Sequence, residues 1–205
     1  MILIGQYDSP FVRRVGIALR LYGMAFEHRP WSVFGDGPQI QALNPLMRVP
    51  TLVLDDGFVV TDSHMMLDHL DSLVPEPMFP RTEPQRRIAL KRATLATGLA
   101  EKAVSLFYER RLHDTPSTLW EARCRTQIGA VLAALGADRA ACSGPYFGST
   151  LGHADIALAC AIRFTTEALP GVLEIAQYPA LKTHCAALEA SPVFQQISQK
   201  FIAPD

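Results

Sequence analysis

The chain has 205 residues, 49% of them hydrophobic and 19% charged, with a formal net charge of −1. That length suits one large domain or two small ones, and the composition favours a substantial core over disorder. A near-neutral charge argues against nucleic acid or an anionic membrane as main partner, and no uninterrupted apolar run reaches membrane-spanning length.

The first residues, "MILIGQYDSP", do not read as a secretory leader. "ILIG" is a short apolar strand. A helix follows from Pro10 to about Tyr22, with Val12, Val15, Leu19 and Tyr22 recurring at helical spacing, and Gly23 suits its C′ position. "AFEHR" alternates and predicts a second strand. A glycine-rich loop, "VFGDGP", leads to a short helix, "QIQAL". "VPTLVL", the turn "DDG" and "FVV" predict a hairpin. "DSHMMLDHLDSL" is a helix with Met66, Leu70 and Leu73 on one face. Residues 75–84 hold four prolines, which lack an N–H and resist helix interiors, so a stiff linker is expected there.

Everything beyond is helical in pattern. A long helix, "EPQRRIALKRATLATGLAEKAVSLFYERRL", carries Ile88, Leu95, Leu99 and Leu106 on a shared face. "STLWEARCRTQIGAVLAAL" is a second. "HADIALACAIRFTTEAL" is so apolar that it predicts the buried centre of a bundle. "YPALKTHCAALEA" and "SPVFQQISQ" each open on a proline. The domains expected are 1–77, mixed α/β, and 85–205, all-helical, joined by a linker over 78–84. Four cysteines lie in the second half with no C-x-x-C pair, as for buried thiols in a reducing cytoplasm. No two histidines or cysteines have metal-ligand spacing, and no metal is expected.

Three stretches could carry chemistry. In "YDSPFVRRV", Ser9 precedes Pro10, a preferred N-cap before a preferred first helical residue. The same geometry suits an anion, because a helix N-terminus offers unpaired N–H groups and partial positive charge. A hydroxyl there can donate to a thiolate. A thiol of pKa ~8.5 needs ~1.4 kcal/mol of selective anion stabilisation for each unit of lowering. Both readings of Ser9 stand at this point. In "NPLMRVPTLVL", Pro50 either starts a strand or follows a cis Val49–Pro50 bond that turns the Val49 N–H and C=O outward, as suits an extended peptide. In "VVTDSHMML", Asp62 and Ser63 either cap a helix or hold the ammonium and carboxylate of an amino-acid head group.

The order and spacing of these stretches, the "VPTL" and "DS" segments, the proline-rich linker and the helical second half resemble the glutathione S-transferase family over nearly the whole chain. "GHADIALA" is similar to its buried-helix signature, with Asp155 at N3 and Leu151 with Ile156 as a hydrophobic staple, but with Gly152 as N-cap where the family has Ser or Thr. "YPALKTH" is similar to its terminal-helix pattern, with His184 where tryptophan is frequent. "SPFVRRV" resembles bacterial members with serine at the active-site position. The resemblance implies a thioredoxin-like N-terminal domain followed by an all-α bundle. It also implies that Ser9 meets the glutathione sulfur, Val49 pairs with the cysteinyl part before a cis Pro50, and Asp62 and Ser63 hold the γ-glutamyl end. Many members have glutamate where Asp62 stands. Phe34 and Arg48 are candidates for the glycyl end. Phe11, Tyr108 and Arg111 are candidates for an apolar co-substrate cleft, expected between the halves. Tyr7 lies only two residues before the helix cap, and some classes of the family use a tyrosine farther upstream; it ranks below Ser9.

The implied activity is conjugation of glutathione, a co-substrate, to a hydrophobic electrophile by a cytoplasmic homodimer. A glutathione-dependent isomerase or dehalogenase is the nearest rival, and a non-catalytic interaction module the most distant one.

Overall fold

β1 (Ile2–Ile4) starts the chain and runs through a tight turn into α1 (Pro10–Leu21). The computed structural model describes residues 1–203, which divide into two compact units. The first comprises Met1–Pro77 and the tail from Ser191; the second is Met78–Ala190.

In the first unit, β2 (Glu27–Arg29), α2 (Gly37–Leu43), β3 (Thr51–Val53), β4 (Val59–Thr61) and α3 (Ser63–Ser72) complete the expected βαβ–α–ββα order. The four strands form a sheet in the order β2-β1-β3-β4, with β1 parallel to β2 and the other pairs antiparallel. This is the thioredoxin-like architecture. α1 ends in a Schellman arrangement: Gly23 at φ 67°, its N–H donating to the Arg20 carbonyl at 3.0 Å and the Met24 N–H to that of Leu19 at 3.0 Å. The hairpin turns through Gly57 at φ 86°.

α1 buries more than the one face its apolar spacing predicts. Val12, Val15 and Leu19 are in the core as expected, but so are Arg13 and Arg14. The stripe on α3 is also different: Met66, Leu67 and Leu70 are buried, whereas Leu73 is 56% exposed. The helix ends at Ser72, so Leu73 is the C-cap and the regular spacing no longer holds it on the buried side.

The second unit is all-helical: α4 (Gln85–Leu112), α5 (Thr118–Ala140), α6 (His153–Ala168), a 3₁₀ turn at Ile175–Gln177, and α7 (Pro179–Glu189). α6 is the buried centre, with even its polar His153, Asp155 and Thr165 enclosed. α4 presents a face of small residues, Ala93, Ala96, Ala100 and Ala103, alongside Leu99, Leu106 and Phe107. Ile88, expected on that face, is 42% exposed in the second turn, and Leu95 is half-buried.

Two sequence boundaries differ from the structure. The short helix α8 (Pro192–Gln196) and the residues after it group with the first unit rather than with the helical one. Arg13 explains this, because its side chain donates to the carbonyls of Ile197 and Phe194. The stretch 78–84 is not a free spacer: Phe79 is buried, its ring 4.6 Å from that of His153. Among the described residues no helix is long and apolar enough to cross a membrane.

Candidate functional site

The strand register brings the three chemically suggestive stretches to one end of the sheet. Ile4 pairs with Thr51, and Thr51 with Thr61. The residues just beyond that row are Gly5 on the way to Ser9, Pro50 with Val49, and Asp62 with Ser63. Gly5 sits at φ 126°, and a side chain there would meet Val12 at 2.5 Å and Val49 at 2.8 Å. It is the close approach at Gly5 that lets the Val49 loop lie against the start of α1. The signal available in the sequence was a glycine directly after a strand, which marks close backbone contact.

Ser9 is the N-cap of α1, half-buried, with φ −65° and ψ 124°. Its Oγ accepts from the Val12 N–H at 3.5 Å, a long bond for a cap, while its carbonyl accepts from the Arg13 N–H at 3.0 Å. The capping reading of Ser9 is thus realised, with a weak bond to the oxygen. Tyr7 is differently engaged. Its ring stacks on His28, centroids 3.8 Å apart and 9° from parallel, and His28 Nε2 lies 2.8 Å from the Gly5 carbonyl. Burial pushes the Tyr7 phenol up to about 12, with Arg20 opposing weakly, so it stays protonated at neutral pH.

The Val49–Pro50 bond is cis, as is Glu83–Pro84. Neither the N–H nor the C=O of Val49 makes a backbone hydrogen bond among the described residues. The loop presenting it is braced by Asn44, which sequence reasoning did not single out. Buried Asn44 donates through Nδ2 to the Arg48 carbonyl and to Thr51 Oγ1, both at 3.0 Å, and its Oδ1 accepts from the Leu46 N–H at 3.1 Å. The Asn-Pro turn signal at 44–45 was the available clue.

Asp62 is exposed and is the N-cap of α3 at φ 69°. Its Oδ1 accepts from the N–H groups of His64 at 2.7 Å and Met65 at 3.4 Å. Ser63 is buried beside it. Of the remaining candidates, Phe34 and Arg48 are exposed on loops and Phe11 is half-buried on α1. Met47, next to Arg48, reaches toward Gly37, where a side chain would meet it at 3.1 Å. Tyr108 and Arg111 lie exposed near the C-terminal end of α4, in the other unit. Among the described residues no group of three His, Cys, Asp or Glu side chains could hold a metal ion.

The family model for the glutathione S-transferase N-terminal domain matches residues 3–78, and that for the C-terminal domain matches residues 119–187. The chain belongs to the glutathione S-transferase family. It is 30% identical over 166 residues to the uncharacterised GST-like protein YibF of Escherichia coli, covering 80% of this chain and 81% of that one. A glutathione S-transferase from Methylobacterium radiotolerans, solved in complex with glutathione sulfonate, has a TM-score of 0.88 and 27% identity over 100% of this chain and 98% of its own. A maleylacetoacetate isomerase from Pseudomonas aeruginosa is 35% identical over 92 residues, 42% of this chain. The chain spans less than half the length of that isomerase and of the first curated transferase it matches, 43% and 40%. For this glutathione S-transferase family member, the two matched segments fall in the two compact units, and the N-terminal one contains Ser9, Val49 and Asp62.

Proposed function

We propose that this protein is a glutathione transferase that binds glutathione at the end of its sheet, holds the sulfur as thiolate and adds it to a hydrophobic electrophile. The observation that carries the reading is the convergence at Gly5: one loop presents the unpaired backbone of Val49 beside the helix start that Ser9 caps. The donor set fits the tripeptide. An extended cysteinyl unit needs one N–H and one C=O, which Val49 offers. A γ-glutamyl ammonium needs a carboxylate, and Asp62 keeps Oδ2 clear of the two N–H groups that occupy Oδ1. Ser63 and the start of α3 suit the adjoining carboxylate. Arg48 and Phe34 would meet the glycyl end, and Phe11 is the candidate of the same unit for the electrophile.

In the reaction the thiol gives its proton to solvent, and Ser9 Oγ–H and the start of α1 stabilise the anion left behind. The sulfur lone pair forms the S–C bond, and the leaving group departs with its electron pair. Orientation and thiolate stabilisation supply the acceleration. A cytoplasmic homodimer is part of the same proposal.

Isomerisation is the second reading, favoured by the match to maleylacetoacetate isomerases. There the thiol adds and later leaves, so glutathione is not consumed.

Thermal unfolding with glutathione tests the binding. At 100 times its Kd the ligand should stabilise the protein by ~2.7 kcal/mol, and no shift at millimolar glutathione would contradict the proposal and favour a non-catalytic module. Loss of glutathione in proportion to product then separates conjugation from isomerisation.

A further inference from the structure

A buried guanidinium stands one turn beyond Ser9. Arg13 is 2% exposed, and a cation so enclosed is tolerated only when its donors are satisfied. Its Nε donates to the Ile197 carbonyl at 2.8 Å and its Nη2 to the Phe194 carbonyl at 2.9 Å, with the guanidinium 5.5 Å from the Phe194 ring centroid. These are carbonyls at the C-terminal end of α8, where a helix's last acceptors have no N–H donors of their own and favour a cation. Arg13 thus ties the chain's tail to α1 across 184 residues of sequence.

The tail then touches the turn that carries Ser9. Gln199 Oε1 accepts from the Tyr7 N–H at 3.3 Å. Ile197 and the Tyr7 ring both close on Gly16, where a side chain would lie 3.0 Å from one and 2.9 Å from the other. The turn itself is closed by the Ser9 N–H on the Gln6 carbonyl at 3.2 Å, and the Arg13 N–H holds the Ser9 carbonyl. The 3.5 Å cap bond is too long to fix the hydroxyl, so the backbone of this turn sets where Oγ sits.

We propose that the segment from Ser191 to Ala203 is a strap that positions Ser9, anchored by Arg13 and acting on the turn through Gln199. Both are positioning residues, and neither is assigned a contact with glutathione. The proposal rests on the reading of Ser9 as the partner of the thiol. The strap keeps the hydroxyl aimed at the sulfur, and it matters because small displacements of a reacting group have large effects on rate.

The test is the pH titration of the thiolate absorbance of bound glutathione in the full chain, with affinity and thermal stability measured in parallel. Arg13→Met would strand buried carbonyls and is at risk of not folding, so Gln199→Met, which keeps length and loses the acceptor, carries the test. Ser9→Ala is the control for the underlying reading. The expected result is a Gln199→Met profile displaced upward by about half to one pH unit, about 1.5-fold to eightfold less thiolate at neutral pH, at unchanged glutathione affinity. A parent-like Gln199→Met profile beside a displaced Ser9→Ala profile overturns the strap and leaves the function standing. Lowered thermal stability with an unmoved profile overturns it too, since the contact would then be structural only. If Ser9→Ala itself ionises the thiol like the parent, the functional reading fails and the strap falls with it.

Discussion

Asp62 holds its backbone at φ 69°, a region an L-residue enters at a cost of roughly 1–3 kcal/mol. Two N–H groups at the start of α3 offset part of that through Oδ1. Asp62→Asn separates the roles. Asparagine tolerates positive φ and keeps the capping oxygen, so stability should stay within about 0.5 kcal/mol, while loss of charge should weaken glutathione binding about tenfold by calorimetric titration. Unchanged affinity would remove Asp62 from the site. Tyr7 makes a different prediction. Its phenol is raised from 10.0 to about 12, so the unfolded chain ionises first as pH rises. Between those values the unfolded state has lost a proton that the folded state retains, and Tyr7 therefore lowers stability as pH increases from 10 to 12. Below pH 10 it contributes no slope, and Tyr7→Phe should abolish this alkaline component in denaturation curves measured across that range. Ser9 and Asp62 were legible as caps because capping is written in residue type and immediate neighbours. The burial of Arg13 was not, since its partners stand near the other end of the chain.

Asp155 shows how one side chain assembles several elements. At N3 of α6 its Oδ2 accepts from the Gly152 N–H at 2.9 Å, the half of a capping box that a glycine N-cap still allows. Its Oδ1 accepts from the Phe147 N–H at 2.9 Å and lies 3.2 Å from His184 Nε2 of α7. His184 Nδ1 in turn lies 3.0 Å from the Pro145 carbonyl. Removing the buried carboxylate leaves the Gly152 and Phe147 N–H groups without an acceptor, so Asp155→Ala should cost about 3 kcal/mol, read as a lower urea midpoint at unchanged slope. A loss below about 1 kcal/mol would mean that water replaces the carboxylate. The N3 position of Asp155 was readable from "GHADIALA". Its bond to Phe147 and its approach to His184 were not, because they join a loop and a helix that local pattern does not connect. Periodicity failed in a similar way on α4 and α3, where Ile88 and Leu73 continue the apolar spacing past the point where anything covers them.

On the scale of the whole chain, the change of texture at the prolines marked the passage from mixed to helical structure, since sheet alternation and helix spacing differ in period. The return of the tail to the first unit left no such mark. α8 is five residues long, and beside the buried Phe194 and Ile197 its attachment uses one arginine and one glutamine whose types alone suggest an exposed surface. The candidate residues were legible one by one, while their assembly at one sheet end needed the register and the room made by Gly5. The claim joining these observations is that Ser9 at the mouth of α1 ionises a bound thiol. The measurement that reaches it most directly is an ultraviolet pH titration of glutathione bound to the unmodified protein and to Ser9→Ala. The account predicts an apparent thiol pKa about one to two units below the free value of ~8.5 in the parent, and about one unit higher in Ser9→Ala than in the parent. A bound thiol that titrates in the parent as it does free in water would contradict it.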